Sequence, residues 1–307
     1  MLDKTNYGQL RLILKDFSVP RSPHPKCIIG VCDATPLKYI PKGNTPFVSS
    51  NPEKRSNPAS ILSGVESIIV MGVPHDIVTY PPMLEGAGII SKLAIAKDYH
   101  VTVKALLKDL ASKLQEYHGF KYKILVDSPN LDERALAVKA GLGFYGRNRL
   151  VVSPEYGSRF CIGVMLTDIP VDALRNEDDK HNRRNDTLAK PVSNCPPNCQ
   201  NCIKSCPNGA LSPNGLDVTL CISYLTQKES MSLEEANYIG CYLYGCDICQ
   251  DVCPLNTPQS QAWANPEDWL SMTDDDYINI YGHTPMLWRG AALLRRNAKA
   301  VIDNRKN

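Results

Sequence analysis

The sequence predicts an α+β protein, an α/β layer of short strands and helices followed by a small cysteine-rich domain. Three observations carry this. Strand-like and helix-like runs alternate from about residue 27 to 168. Nine of the twelve cysteines lie between residues 195 and 253. Between the two regions, "DALRNEDDKHNRRNDTLAKPVSN" (172–194) is dense in charge of both signs and reads as a solvated connector. The implied partition is 1–171, a connector at 172–190, the cysteine-rich domain at 191–260 and a helical segment at 261–307.

Each element has its own signal. "MLDKTNYGQLRLILKDF" (1–17) is an amphipathic helix without a signal peptide's apolar block or cleavage site. "KCIIGVC" (26–32), "SIIVMGVP" (67–74), "YKILVD" (122–127) and "FCIGVMLTDI" (160–169) are short β-branched runs of the kind that form buried strands. Residues 88–120 carry apolar side chains at three- and four-residue spacing and end near Gly119, which predicts one long helix. "LDERALAVKAGLG" (131–143) is a second helix, with acidic residues at its positive end. The chain finishes on an amphipathic helix within "HTPMLWRGAALLRRNAKAVIDNRKN".

Composition narrows the classes. At 43% apolar and 21% charged, the chain of 307 residues can bury a substantial core. A net charge of +2 gives no strong footprint for nucleic acid or an anionic membrane, although Arg and Lys within 288–306 and the run 180–190 offer local patches. No apolar run approaches the roughly 18 residues that span a bilayer, so a cytoplasmic location is expected. Thiols stay reduced there, and clustering on this scale favours metal ligation over disulfides.

The first cysteine run reads Cys195-x3-Cys199-x2-Cys202-x3-Cys206-Pro207, and the second Cys246-x2-Cys249-x3-Cys253-Pro254. Ferredoxin-type double 4Fe-4S proteins use C-x2-C-x2-C-x3-C-P, in which the last cysteine ligates the other cluster. Here the first loop is one residue longer and contains Pro196-Pro197. The crossover rule groups Cys195, Cys199, Cys202 and Cys253 around one cluster, and Cys206, Cys246 and Cys249 around the other. The eighth ligand is Cys221 or Cys241; Cys221 is preferred because it opens a helix that turns it back. Two four-cysteine zinc sites are the rival reading, but zinc does not call for Cys-Pro after a three-residue gap. Cys27, Cys32 and Cys161 read as small core residues.

Beyond the cysteines, "NPEKRSNPASILSGVESIIVMGVP" (51–74), "AIAKDYH" (94–100), the stretch from "LVDSPNLDERALAVKAGLG" through "TDIP" (125–170) and "WRGAALLRRNAKAVIDN" (288–304) together resemble the epoxyqueuosine reductases, cobalamin-dependent iron–sulfur enzymes related to reductive dehalogenases. The resemblance covers about three quarters of the chain and implies a corrinoid-binding α/β domain with a ferredoxin-like double-cluster domain. It also implies that Asp127 is the general acid, its pKa raised by burial beside the corrin. The position suits the rule that ligands gather at the carboxyl ends of strands in open α/β sheets. The alternative role for Asp127 is a helix cap, which Asp132 and Glu133 already serve.

Corrin contacts are expected from Arg147, Asn148 and Ser153, with Arg55 and Lys97 as weaker candidates beside the plainer reading of solvated charge. The glycines of "AGLGFYGRN" (140–148) would admit a large flat ligand. Their Gly-x-Gly-x-x-Gly spacing follows a helix rather than a strand, so it is not a dinucleotide fingerprint. Ser223 and Asp247 flank cluster ligands, where a cofactor bridging the domains would touch them. His100 lies within the predicted helix and reads as structural.

The expected reaction is reduction of epoxyqueuosine to queuosine in tRNA, with electrons from an external donor such as ferredoxin or flavodoxin. The same machinery acting on a small molecule is the alternative, and a ferredoxin-like electron carrier or corrinoid activator the non-enzymatic one. Members acting on tRNA usually continue into helical repeats past the helix matching 288–304, where this chain stops, which weakens tRNA as the expected partner. Ala94, Ala96 and "GFYGRN" also depart from the family pattern, so a different active-site wall is expected.

Overall fold

The computed structural model describes residues 6–18, 27–38, 47–75, 79–175 and 194–306. Most of the predicted connector, 176–193, and the basic run 180–190 lie outside the described residues. The chain forms two compact units, one of residues 1–74 and 100–196, the other of 75–99 and 197–307.

The first unit is built on a four-stranded sheet in the order Ile28–Asp33, Ser67–Pro74, Phe160–Thr167, Tyr122–Leu125. All four predicted strands are present. Each neighbouring pair is antiparallel. Length favours this at one connection: Glu133–Lys139, the regular helix between the Tyr122–Leu125 and Phe160–Thr167 strands, has seven residues. It rises about 10 Å, too little to return the chain along an eight-residue strand of about 26 Å.

Period-two alternation assigns the two faces of this sheet. Cys32, Ile68, Val70, Val164 and Leu166 pack with Leu136, Ala137 and Ala140 of the Glu133–Lys139 helix and its end. Gly30 is required there, because a Cβ would lie 2.2 Å from the Ala140 carbonyl oxygen. On the opposite face Gly163 meets Val103 and Leu107 of the Tyr99–Gln115 helix. That helix buries Val103, Leu106, Leu107, Leu110, Ala111 and Leu114, the three- and four-residue spacing read in the sequence. Each buried Val or Leu there contributes roughly 1.5–3 kcal/mol. Coverage of both faces explains why "SIIVMGVP" is a nearly continuous apolar strand.

The predicted single helix at 88–120 is instead a strand, Gly88–Ile90, a short helix, Lys92–Ile95, and the helix Tyr99–Gln115. Tertiary pairing overrides helical periodicity: Gly88–Ile90 is the middle strand of a sheet in the second unit, parallel to Tyr242–Tyr244 and antiparallel to Ala262–Ala264. A Cβ at Gly88 would collide with the Leu243 side chain at 2.4 Å.

The core of the second unit gathers Ile90, Leu225, Leu243, Met286 and Leu294 around Trp269 and Tyr277, both fully buried. Trp269 meets Tyr277 and Tyr281 edge-on at 6.1 and 5.6 Å, the geometry aromatic quadrupoles favour. The closing helix Ala291–Asn304 follows Gly290, whose φ of 81° few side chains tolerate. It is tied in by polar groups as well as apolar ones. Buried Asn297 donates to the Thr226 and Leu243 carbonyls, each at 2.8 Å, and Asn304 donates to those of Ala236 and Gly240. Among the described residues no helix is long and apolar enough to cross a membrane.

Candidate active site and cluster-binding cysteines

In the first unit, the Tyr122–Leu125 strand runs into the turn "VDSPNLDE". Asp127 there has a φ of 53°, one of three non-glycine residues with positive φ among those described. Asp and Asn tolerate this region better than most side chains, at a cost of about 1 kcal/mol or more. The Asp127 side chain is 58% exposed, and its Oδ2 lies 3.3 Å from His100 Nε2, in the first turn of the Tyr99–Gln115 helix. Burial is therefore not what the protein alone gives this carboxyl. Because the sheet is antiparallel, the switch-point rule of parallel sheets does not explain the position either; the turn does.

Asp132 and Glu133 divide the work around that turn. Asp132 accepts from Ala135 N at 3.0 Å as the helix cap, and it pairs with the Arg55 guanidinium at 2.8 Å in a fully buried contact. Glu133 turns back, accepting from Ser128 N at 2.7 Å and Asp127 N at 3.0 Å. Burial pushes the Glu133 carboxyl up to about 8, with the Asp127 and Asp132 charges adding and the two backbone donors opposing.

The expected corrin contacts fall into two groups. Arg55 is buried on Asp132 rather than solvated. Asn148 is buried and accepts from Leu150 N, while Ser153 Oγ accepts from Tyr156 N; both close loops of their own chain. Ser223 Oγ accepts from Gln227 Nε2. Asp247, buried in the second unit, accepts from Ser91 Oγ at 2.8 Å and Lys92 N at 2.7 Å. Lys97 is exposed and Arg147 half-buried, with Arg147 Nη1 3.5 Å from the Pro196 carbonyl. The glycines at 141–146 also serve the chain itself. Gly141 takes a φ of 82° after the helix, and a Cβ on Gly143 would lie 2.2 Å from Val152 O across a small hairpin.

Within the second unit, Cys199, Cys202 and Cys206 of the first run meet the second run, while Cys195 falls at the end of the first unit. Asn201 Nδ2 donates to the Val252 carbonyl at 3.3 Å, joining the residues beside Cys202 and Cys253. Burial raises the Cys246 thiol to about 12, with further repulsion from Cys221 and Cys206. Burial likewise raises Cys249 well above the ordinary thiol range, and Cys246, Cys221 and Cys202 add to it. Cys221 is raised by burial and by Cys206. Cys246 and Cys249 thus each sense Cys221, with Cys206 also acting on Cys246 and Cys202 on Cys249, whereas Cys241 is exposed and its charged neighbour is Arg305. Among the described residues no group of three or more His, Cys, Asp or Glu side chains is placed to hold a single metal ion. An iron–sulfur cluster, which spreads its thiolates around a cube, would offset this repulsion with its cations and displace the protons. Cys27, Cys32 and Cys161 are buried in the first unit, as the sequence suggested.

Two family models match separate stretches of the chain. Residues 55–128 match the family model "Epoxyqueuosine reductase QueG, DUF1730", and 194–256 match the "4Fe-4S double cluster binding domain". An epoxyqueuosine reductase of Bacillus anthracis is 32% identical over 284 residues, covering 85% of this chain and 70% of the relative. A crystal structure of epoxyqueuosine reductase with an epoxyqueuosine-modified tRNA-Tyr stem loop superposes with a TM-score of 0.79 at 27% identity, covering 98% of this chain and 81% of that one. The enzyme from Bacillus subtilis, solved with its catalytic aspartate loop swung out of the active site, gives 0.77 at 26% identity, over 98% and 82% of the two chains. Fold and thiols together define an iron–sulfur protein of the double 4Fe-4S class. The chain belongs to the epoxyqueuosine reductase family.

Two contacts of Asp127 escaped the sequence reading. Glu133 looked like a helix-end charge, and its distance of six residues from Asp127 across a Pro-containing turn was the available signal. His100 gave no local signal, because only the packed helix brings it to Asp127.

Proposed function

We propose that the chain reduces epoxyqueuosine to queuosine in tRNA, taking two electrons and two protons to convert an epoxide to an alkene and water. The observation that carries this is an exposed Asp127, set on a left-handed backbone beside His100, in a chain aligned over 85% of its length with an epoxyqueuosine reductase. Asp127 is the proton donor to the departing oxygen, and His100, 3.3 Å away, orients it.

Cys195, Cys199, Cys202 and Cys253 hold one 4Fe-4S cluster, and Cys206, Cys221, Cys246 and Cys249 the other. When bound, the clusters would carry single electrons from an external donor. Cobalamin, carried over from the family, supplies low-valent cobalt as the reductant when bound. Of the expected set in the first unit, Asp127 is exposed and Arg147 half-buried, and both would meet it. Asn148 and Ser153 shape the loops that present them.

The test is anaerobic turnover of epoxyqueuosine-containing tRNA with cobalamin and a strong reductant. Asp127→Asn should keep iron and cobalamin content and lose turnover by at least about a hundredfold, the lower end of the usual range for a general acid. Full activity in that variant removes Asp127 from the mechanism. A gel shift that fails with epoxyqueuosine-containing tRNA would direct the search to small molecules instead.

A further inference from the structure

Glu133 is the least explained charge of the first unit. As the first residue of a helix it suits the positive end of the dipole, but that role asks only for a solvated charge near the terminus. Instead Glu133 is 8% exposed and bent back onto two named amides. The cap is already made by Asp132, which accepts from Ala135 N. Nothing in the helix therefore requires the Glu133 side chain to be buried.

We propose that Glu133 is a positioning residue, its carboxyl group clasping the Asp127 and Ser128 amides so that Asp127 stays in its left-handed conformation beside His100. The inference rests on the reading of Asp127 as proton donor. The geometry is specific: Oε2 takes the Asp127 N–H at 3.0 Å and Oε1 the Ser128 N–H at 2.7 Å. Adjacent amides can converge on one carboxyl only when the backbone between them curls, and a φ of 53° at Asp127 supplies that curl. The left-handed conformation is disfavoured for a residue with a Cβ, so something must hold it. Both carboxyl oxygens accept when the group is ionised, the form that matches these two donors. The Bacillus subtilis relative with its catalytic aspartate loop swung out shows that such a loop can leave its site. In this chain Glu133 is the latch against that motion.

The test uses the full chain with its clusters, in Glu133→Gln and Glu133→Asp. The amide of Gln keeps the size but offers a donor to one of the two N–H groups; Asp keeps the charge but is one methylene short. Hydrogen exchange read by mass spectrometry on peptides covering 126–130 should accelerate about 10- to 100-fold in Glu133→Gln and less in Glu133→Asp, with the sheet strands unchanged. Turnover with epoxyqueuosine-containing tRNA should fall about 10- to 100-fold in kcat with KM held within about twofold, as misplacement of a reacting group predicts. Unchanged exchange at 126–130 overturns the clasp, and faster exchange with unchanged kcat overturns the positioning role. If Glu133→Gln fails to fold, wild-type exchange in Glu133→Asp overturns the proposal in its place. Asp127→Asn separates the two readings: full turnover there defeats the proton-donor assignment, while exchange in the Glu133 variants still judges the clasp by itself.

Discussion

Cys221 and Cys241 sit twenty residues apart in sequence and in different surroundings. The Cys221 thiol opens a short helix, is largely buried and senses Cys206, and both Cys246 and Cys249 sense it. Cys241 is exposed near Arg305. Cys221→Ala should therefore cost one cluster, about half the iron of the reconstituted protein, whereas Cys241→Ala should leave iron content and the cluster absorption unchanged. Iron analysis after anaerobic reconstitution decides it, and equal losses in both variants would refute the assignment. Asp127 shows the complementary limit. Its type and its place after a strand were legible in "YKILVDSPNLDERA", but its left-handed backbone and its partners were not. Those depend on Glu133 folding back and on His100 arriving from a helix that begins 28 residues earlier in the chain.

Among elements, the contact between the Ile28–Asp33 strand and the Glu133–Lys139 helix joins the two segments of the first unit. Lys139 Nζ donates to Asp33 Oδ1 at 2.6 Å, to the Asp33 and Thr35 carbonyls at 3.0 Å each, and to Thr35 Oγ1 at 2.8 Å. Burial alone would raise Asp33, but Lys139 and Thr35 more than offset it and bring the carboxyl down to about 2. A depressed carboxyl contributes stability that is present above its unfolded value near 4 and is lost as pH falls through about 2. Lys139→Met should thus destabilise the fold at neutral pH by about 2 kcal/mol and remove this group's share of the acid-side loss; urea unfolding at pH 7 and pH 3 reads both. An unchanged midpoint at pH 7 would show the cluster of bonds to be inert. Gly30 lies on the same seam. Gly30→Ala should cost about 1–3 kcal/mol, because the new methyl meets the Ala140 carbonyl, which a side-chain rotation cannot clear. Thermal unfolding would test this.

At the level of the whole molecule, the two units are stabilised differently. The first has a sheet covered by helices on both faces. In the second, the helices around the cysteines have four to six residues each, below the length at which helices hold themselves. Ligation therefore supplies part of the folding energy of that segment. Removing iron with a chelator under reducing conditions should lower the melting of the second unit and leave that of the first, as followed by hydrogen exchange on peptides from each. Equal protection of 197–256 with and without iron would contradict this.

What the sequence by itself determined was everything carried by local spacing. The two Cys-Pro runs declared a double cluster, four β-branched runs declared the strands, and the stretches around Asp127 and "LLRRNAKAVIDN" declared the family. Spacing records what a residue's near neighbours require, and cluster loops and buried strands are largely near-neighbour structures. Tertiary structure alone decided the antiparallel sheet, the conversion of 88–90 from helix to strand, and the Glu133 and His100 contacts to Asp127. Each of these is set by a partner distant in the chain or by the pull of backbone groups on one another across a turn. Neither leaves a periodic mark on the sequence, because the energy resides in a pairing and not in the composition of either segment.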